Sequence, residues 1–308
     1  MSKTVWITGA GGYIGGQCIL EFEDAGYIAV GLDTSEVHGY KSDYGSPDVS
    51  YFLSGDKPDI IVHCAATSLV GPSMQDPGSY YNNNVAKTIT FLENIRNTVP
   101  DAHFIFASSA AVYGEPSSTE WLTEQSNADP ISPYGRSKQM IEQILHDYSD
   151  IYGMKTTSLR FFNVCGADLD QRHGQTDDAT HIIPSIIRAL KNDQPVQING
   201  NNYRGKDGTC TRDYVHVCDV ASAVRKCAES QAFGIYNVGG PHAYTVLDIV
   251  RAFESVLDRT IEISYGPRRA GDPDVLKADT TLLETKTDWV PTHDLKTMVE
   301  TAWQWHSK

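Results

Sequence analysis

Basic residues are scarce in this chain of 308 residues. Lysine and arginine together number 25, against 39 aspartate and glutamate residues, and the formal net charge is -14 at pH 7. Nucleic acids and anionic membranes are bound through basic surfaces, so this charge balance argues against both kinds of partner. An anionic small molecule would need cations gathered locally in one pocket.

Long apolar runs are also missing. No stretch reaches the roughly 20 residues that a membrane-spanning helix needs, and Gly9 interrupts the first apolar run. We therefore expect no membrane segment, no secretion signal and a cytoplasmic location.

The sequence also lacks the paired residue spacings that are typical of metal-binding sites. The six cysteines show neither CxxC spacing nor the framework of a secreted disulfide protein. We expect reduced, mostly buried thiols and no bound metal.

Strand-like and helix-like segments alternate over the first 162 residues. Two of the intervening segments, 79–98 and 133–152, are long enough for helices of about five turns. The alternation predicts an α/β fold, with a Rossmann-like, doubly wound parallel sheet covered by helices on both faces. The strand-like runs are residues 3–8, 28–33, 59–64, 103–107 and 155–161.

The alternation stops after Phe162, where glycine-rich and polar loops begin. We predict a cofactor-binding domain over residues 1–162 and a smaller C-terminal substrate-binding lobe over 163–308. A segment around 213–239 is expected to return to the first domain and to add one strand, at 234–239, to its sheet.

A glycine-rich segment, TGAGGYIGG at residues 8–16, follows the first predicted strand and precedes a helix-length run. Such glycines permit a tight turn and let backbone N–H groups approach a pyrophosphate at a helix N-terminus. Asp33 ends the next strand, where a carboxylate accepts hydrogen bonds from an adenosine ribose. This context predicts a dinucleotide site; the alternative is a glycine-rich turn that binds nothing.

Asp33 also indicates which dinucleotide is bound. Its charge would repel the 2′-phosphate of NADP, and the following Thr34-Ser35-Glu36 contains no cation to neutralise one. We therefore expect NAD.

Tyr134 and Lys138 are four residues apart at the start of a predicted helix, which places them on one face about 6 Å apart along the axis. A phenol with a pKa near 10 is a poor base at neutral pH, but a neighbouring ammonium favours the phenolate. Alone, such a pair is usually a solvated helix face. Upstream, however, a buried strand ends in Ser108 and Ser109, and open α/β sheets bind ligands at the carboxyl ends of their strands.

The motifs together resemble those of the extended short-chain dehydrogenases, and within that family the UDP-glucose (UDP-galactose) 4-epimerases. The resemblance covers nearly the whole chain, with the motifs in the family's order. They are TGAGGYIG, HCAA, YYNNNV, SSAAVYGE, SPYGRSK, LRFFNVCGA, DGTCTRDYVHVCDVA and RRAGDP.

This resemblance implies a UDP-sugar substrate, NAD as cofactor and a homodimer formed through the two long helices. It assigns Tyr134 as base and acid, Lys138 as its electrostatic partner and Ser109 as a hydrogen-bonding hydroxyl. The implied cofactor contacts are Gly9, Gly12, Tyr13, Ile14, Gly15, Asp33, Asp43, Ala65, Ala66, Asn83 and Phe162. The implied substrate contacts are Asn163, His181, Gln197, Asn199, Arg212, Arg269, Asp272 and Leu276.

Several positions distinguish branches of the family. Related 4,6-dehydratases carry an Asp-Glu pair after the serine, whereas Ala110 and Ala111 stand here and supply no acid for elimination. Asn199 replaces a phenylalanine that covers uracil in some members, and Ser68 replaces a lysine. The stretch between Asp33 and Asp43 is shorter than in the family.

Three other functions are compatible with these residues. A related epimerase would act on a UDP-pentose, UDP-uronate or UDP-N-acetylhexosamine, and a 4-keto-sugar reductase would consume NAD(P)H. A nucleotide-sensing protein would keep the fold without catalysis. The resemblance places Leu276 beside the sugar C2 substituent, which favours UDP-glucose and UDP-galactose over the N-acetylated sugars.

Overall fold

The structure is a computed structural model that describes residues 2–116, 119–268 and 272–308. Its strands in these ranges are β1 (Thr4–Thr8), β2 (Ile28–Asp33), β3 (Gly39–Lys41), β4 (Ile60–His63), β5 (His103–Ser109), β6 (Thr156–Phe161), β7 (Asn163–Cys165), β8 (Val196–Asn199), β9 (Thr211–His216), β10 (Gly234–Val238), β11 (Ala243–Thr245), β12 (Ile263–Gly266) and β13 (Val275–Leu276).

The α-helices of the described residues are α1 (Tyr13–Asp24), α2 (Val49–Asp56), α3 (Val70–Ser73), α4 (Pro77–Tyr80), α5 (Lys87–Thr98), α6 (Pro133–Tyr152), α7 (Ile182–Lys191), α8 (Val217–Ser230), α9 (Val246–Leu257), α10 (Thr281–Thr287) and α11 (Leu295–His306). A π-helical turn (Tyr81–Ala86) joins α4 to α5. A 3₁₀ turn (Ala110–Tyr113) follows β5.

Seven parallel strands form the main sheet, in the order β10-β6-β5-β4-β1-β2-β3. Every residue of β4 and β6 is buried, as expected for strands with helices on both faces. The predicted Rossmann-like fold is confirmed. The strand order reverses between β1 and β4, and ligands of open α/β sheets bind in the crevice at such a switch point.

Apolar side chains cover both faces of this sheet. On one face Phe22 of α1, Val220 of α8 and Leu283 of α10 belong to a single buried cluster with the strands. On the other face, Phe91 of α5 and Ile141 of α6 pack with α2 and the opposite side of the strands. This packing fixes the first turns of α1 and α6 relative to the strand ends.

Helix α6 spans the predicted residues 133–152, and its ends follow from the sequence. The Ser132 hydroxyl accepts a hydrogen bond from the Gly135 N–H at 3.1 Å, Pro133 occupies the first helical position, and Gly153 ends the helix with φ +70°. The other predicted helix, 79–98, is interrupted by the π-helical turn. Hydrophobic periodicity does not reveal one extra residue in a turn, although such turns are frequent at functional sites.

The short connection after Asp33 forms an unusual edge to the sheet. Residues 34–38 alone join β2 to the parallel strand β3, whereas parallel strands ordinarily need a crossover of a dozen residues or more. Gly39 has φ +140°, and a Cβ there would overlap the carbonyl oxygen of Gly31. This close approach requires glycine and brings Asp43 to the edge where β2 ends.

The rest of the chain builds a second packed unit beside the carboxyl edge. Strand β9 pairs with β7, β11 and β13, and β8 pairs with β12. Helices α7, α9 and α11 bury Ile186, Phe253 and Val299 against these strands. Helix α8 and strand β10 instead return to the main sheet, where β10 pairs with β6. The division at residue 162 stays a prediction.

Candidate active site

The glycine loop makes a tight turn between β1 and α1. Gly9 has φ +71°, and its carbonyl accepts a hydrogen bond from the Gly12 N–H at 2.9 Å. A Cβ at Gly15 would overlap the same carbonyl, so only glycine lets α1 begin this close. Helix α1 has no side-chain cap and no acidic residue in its first turn. Its first N–H groups and its dipole are therefore suited to an anion.

Asp33 is fixed beside this loop by donors on both oxygens. Its Oδ2 accepts from the Gly11 N–H at 3.0 Å, and its Oδ1 accepts from the Ser35 N–H and hydroxyl at 2.9 Å each. Burial acts to raise the pKa of Asp33, but these hydrogen bonds outweigh it and hold the pKa below the usual value. The side chain is a carboxylate at neutral pH, as a ribose acceptor must be.

Asp43 lies just beyond β3, near the same edge. It accepts a hydrogen bond from the Gly45 N–H at 2.8 Å and forms an ion pair with Lys87. Burial acts to raise the pKa of Asp43, yet the ammonium and the hydrogen bonds lower it overall. The predicted adenosine side of the cleft therefore carries two ionised carboxylates, one of them already neutralised by lysine.

Ala65 and Ala66 follow β4 directly opposite the glycine loop. A Cβ at Gly9 would lie 2.7 Å from the Ala65 backbone nitrogen, which itself donates to the Thr8 hydroxyl at 3.2 Å. That hydroxyl also bonds to Nδ1 of His63 at 2.7 Å. Burial lowers the pKa of His63 to about 3, so the ring is neutral and acts as a structural link between β1 and β4.

The π-helical turn carries one predicted contact and one residue that the sequence analysis missed. Asn83 donates through Nδ2 to the Thr67 hydroxyl at 3.1 Å. Buried Asn84 donates to the Thr67 carbonyl and the Ser137 hydroxyl, both at 3.0 Å, and accepts from the Thr67 N–H at 2.8 Å. Asn84 thus ties the loop after β4 to α6. The three consecutive asparagines of YYNNNV gave no reason to single it out.

Lys138 is buried at the carboxyl edge of the sheet. Its Nζ donates to the Ala107 carbonyl at 2.6 Å and lies 4.7 Å from the centroid of the Phe106 ring and 5.8 Å from that of Tyr134. Burial lowers the pKa of Lys138 to about 8. The side chain is still mainly an ammonium at neutral pH, with little water to screen its charge.

Tyr134 lies one helical turn before Lys138. Burial raises the pKa of the Tyr134 phenol, a hydrogen bond with Ser109 acts to lower it, and Tyr80 raises it further. Ser109, the last residue of β5, also accepts a hydrogen bond from the Ala111 N–H at 3.2 Å. The structure therefore brings Ser109, Tyr134 and Lys138 together, with the phenol protonated until further positive charge arrives.

A buried polar network lies beneath these three side chains. The Glu142 carboxylate accepts from the Ser108 hydroxyl at 2.6 Å and from Arg160 at 3.0 and 2.7 Å. Arg160 also donates to the Tyr113 hydroxyl at 2.9 Å, which donates to Asn237 at 2.7 Å. The sequence analysis missed this network, although Tyr134, Lys138 and Glu142 recur every four residues along one face of α6.

Three predicted substrate contacts lie on strands joined through β9. Asn163 begins β7 and pairs with Tyr214 of β9, while Leu276 of β13 pairs with Arg212 at the other end of β9. Leu276 packs against a buried cluster that includes Ala110 and Phe162, the residue after β6. Leu276 is thus held close to the end of β5.

Buried Arg212 forms an ion pair with Asp272, which also accepts from the Tyr203 hydroxyl at 3.0 Å. The neighbouring Arg268 guanidinium lies 3.8 Å from the centroid of the Tyr203 ring. The predicted phosphate contact Arg269 lies outside the described residues. The structure therefore places at least one buried cation beside Leu276.

The remaining predicted contacts lie on other parts of the chain. Gln197 and Asn199 lie on β8, which pairs with β12. His181 precedes α7, is exposed and contacts Gln175 at 2.9 Å. The Tyr13 hydroxyl donates to the Gly166 carbonyl at 2.7 Å, and Ile14 of α1 packs against the core of the main sheet. The roles of these residues stay predictions.

Within the described residues, no group of three or more His, Cys, Asp or Glu side chains is arranged to hold a metal ion. No helix of that part of the chain is long and apolar enough to cross a membrane.

A doubly wound sheet with a glycine loop, an adjacent aspartate at the end of the second strand and a Ser-Tyr-Lys set defines the class of protein: an NAD-dependent enzyme of the short-chain dehydrogenase type. The profile of the NAD dependent epimerase/dehydratase family matches residues 5–239. The chain belongs to that family. The resemblance inferred from the motifs is confirmed.

Known relatives are similar over the full length of the chain. UDP-glucose 4-epimerase from Rhizobium leguminosarum bv. trifolii is 36% identical over 322 aligned positions, covering 99% of this chain and 98% of the relative. The crystal structure of UDP-glucose 4-epimerase from Brucella ovis in complex with NAD has a TM-score of 0.92 at 32% identity, with 98% of each chain covered. The enzyme from Bifidobacterium longum in complex with NAD⁺ and UDP has a TM-score of 0.91 at 28% identity, covering 99% of this chain and 98% of that one.

Proposed function

We propose that this chain is an NAD-dependent 4-epimerase that interconverts UDP-glucose and UDP-galactose. The observation that carries the proposal is the meeting of two sets of residues at one sheet edge. The glycine loop with Asp33 stands at the ends of β1 and β2, and Ser109 with Tyr134 and Lys138 stands at the end of β5 and the start of α6. The names of the relatives support the same activity.

The residues at this edge fit NAD. The uncapped start of α1 suits the pyrophosphate, and the ionised Asp33 suits the adenosine ribose. A side chain at Gly11 would overlap the Ser35 hydroxyl and crowd the Asp33 carboxylate. Glycine at this position therefore lets the loop pack closely against Asp33. Bound there, NAD would supply reversible hydride transfer at C4 of the sugar.

Side chains of the protein accept the proton and return it in this reaction. The Tyr134 phenolate accepts the proton of the sugar 4-hydroxyl, and the resulting phenol returns it to the 4-keto oxygen. Lys138 stabilises the phenolate, because an ammonium 5.8 Å from the ring centroid in a buried site acts through a low effective dielectric. Ser109 orients the sugar oxygen by hydrogen bonding.

The substrate proposal rests on four positions. Ala110 and Ala111 follow Ser109 and supply no acid for water elimination. Arg212 is suited to the diphosphate or nucleotide ribose of UDP, with Asp272 holding the guanidinium in place. Leu276 closes the side of the pocket that an N-acetyl group would enter. These features favour a plain hexose carried on UDP.

We further propose a cytoplasmic homodimer that acts in galactose metabolism. The two long helices of the predicted interface expose apolar side chains, including Ile89 of α5 and Met140 and Ile151 of α6. A partner that packs on these helices would remove such side chains from water. Light scattering at micromolar concentrations should give twice the mass of the chain, and a monomer throughout would contradict this part of the proposal.

The activity is tested with purified protein and a panel of nucleotide sugars, without added cofactor. Bound NAD and interconversion of UDP-glucose and UDP-galactose are expected, with Tyr134→Phe as the matched inactive control. Accumulation of NADH in proportion to product would indicate a dehydrogenase. A requirement for added NAD(P)H and a 4-keto sugar would indicate a reductase. Bound NAD without turnover of any sugar would indicate a sensing protein.

A further inference from the structure

We propose that Glu142 is a positioning residue that, together with Arg160, sets the charge around Lys138 and Tyr134 and thereby the pH range of proton transfer. The proposal rests on the proposed role of Tyr134 as the proton acceptor. Glu142 touches neither substrate nor cofactor in this account. It acts through its neighbours on α6.

The geometry places Glu142 in line with the two candidate catalytic side chains. Tyr134, Lys138 and Glu142 occupy successive positions four residues apart on α6, so they share one face of the helix. Glu142 and Arg160 are 5% and 4% exposed, which leaves almost no water to screen them. A charge at this depth acts on its neighbours much more strongly than one at the surface.

The pair also fixes the strand that carries Ser109. Glu142 accepts a hydrogen bond from the Ser108 hydroxyl, and Arg160 of β6 donates to both carboxylate oxygens. This bidentate geometry spans α6, β5 and β6 directly beneath the candidate active site. A buried ion pair is often no more stabilising than an apolar pair of similar size. Its presence here therefore calls for a role other than stability.

Groups from several elements face Lys138. Tyr134 and Glu142 come from α6, His63 ends β4 and Cys64 follows it, and the Ala107 carbonyl comes from β5. Tyr80 of α4 acts on Tyr134 and raises the pKa of its phenol. His63 is neutral because burial and the Lys138 charge lower its pKa. Burial lowers the pKa of Lys138, and Cys64 and then the Glu142 carboxylate act to raise it, so Glu142 favours the ammonium form.

Removing this carboxylate should change the pKa values of Lys138 and Tyr134 in a predictable direction. In Glu142→Gln the Arg160 guanidinium stays charged, because it does not deprotonate in proteins. The pair then changes from neutral to positive, and a positive charge lowers the pKa of both Lys138 and Tyr134. With roughly 10 Å between the Arg160 guanidinium and these two groups, and an effective dielectric near 20, each pKa should fall by about one unit.

The experiment compares the pH dependence of kcat/KM for UDP-galactose in four proteins containing bound NAD. The profile of the natural chain should have an acidic limb, set by Tyr134, and an alkaline limb, set by Lys138. Glu142→Gln should move both limbs to lower pH by about one unit. The double variant Glu142→Gln with Arg160→Met removes both charges and should restore the original limbs. Glu142→Asp keeps the charge with altered geometry, and should lower the rate without moving the limbs.

A second readout is independent of turnover. The ultraviolet absorbance of the Tyr134 phenolate is titrated with pH in the NAD complex, and the absorbance of the Tyr134→Phe protein is subtracted. In Glu142→Gln the midpoint of this titration should move to lower pH by the same amount. Unmoved limbs and an unmoved phenolate titration in Glu142→Gln, or equal shifts in the single and double variants, would overturn the proposal. If no sugar is turned over but the titration shifts, the positioning role stands and the proposed activity fails.

Discussion

Leu276→Ser should open the pocket to N-acetylated sugars. Leu276 is half-buried and packs against the cluster containing Ala110 and Phe162, at the end of the strand that carries Ser109. A branched apolar side chain there crowds an acetyl methyl and offers the amide no hydrogen-bond partner. Serine is smaller and supplies both a donor and an acceptor.

The magnitude follows from the polar group left without a partner. A buried donor or acceptor that loses its hydrogen bond costs about 1 to 3 kcal/mol. At 1.4 kcal/mol per factor of ten, this corresponds to roughly a 5- to 150-fold discrimination against the N-acetylated sugar. Leu276→Ser should recover a large part of that factor and change the plain sugars much less.

The assay measures kcat/KM for UDP-glucose and UDP-N-acetylglucosamine, and the preference is their ratio. Val275→Ser is the matched control, because it makes a similar change on the opposite face of the same strand. The ratio should shift in Leu276→Ser and stay unchanged in Val275→Ser. An unchanged ratio in Leu276→Ser, or equal shifts in both variants, would show that Leu276 is only a packing residue.

Three further predictions concern the proton, the cofactor and pH. Tyr134→Phe should lower kcat by roughly two to four orders of magnitude while leaving UDP-sugar binding by calorimetry nearly intact; a near-normal rate would assign the proton to another group. Asp33→Ala should weaken NAD binding by about 10- to 150-fold through loss of the ribose acceptor, and unchanged affinity would remove Asp33 from the site. Activity that depends on the Lys138 ammonium should fall as pH rises through about 8, and a rate still rising well above that pH would contradict this dependence.

The parts of the fold predictable from sequence are those set by local pattern. The alternation of apolar strands and helix-length segments predicted β1, β2, β4, β5 and β6 along the chain. Strands β4 and β6 are buried throughout, and β1 and β5 over most of their length, so each reads as a short apolar run. Helix α6 was predictable to its ends because Ser132, Pro133 and Gly153 are standard boundary residues. The π-helical turn was not, because periodicity averages over it.

Long-range contacts limited the prediction of the site. Tyr134 and Lys138 share one helix, so their proximity follows from spacing alone. The Glu142–Arg160 pair joins α6 to β6, and the links from Asn84 to Thr67 and Ser137 cross elements distant in sequence. No local pattern encodes such pairs. The five-residue connection to β3 likewise depends on the close approach of Gly39 to Gly31, which becomes visible only in three dimensions.

The central claim is that hydrogen leaves C4 of the sugar and returns to it within one active site. It is tested most directly with UDP-glucose deuterated at C4, incubated with the purified protein in ordinary water without added cofactor. The account predicts that the UDP-galactose formed retains the deuterium at C4, as measured by mass spectrometry and proton NMR. Loss of the deuterium to solvent, or its appearance in free NADH, would contradict it.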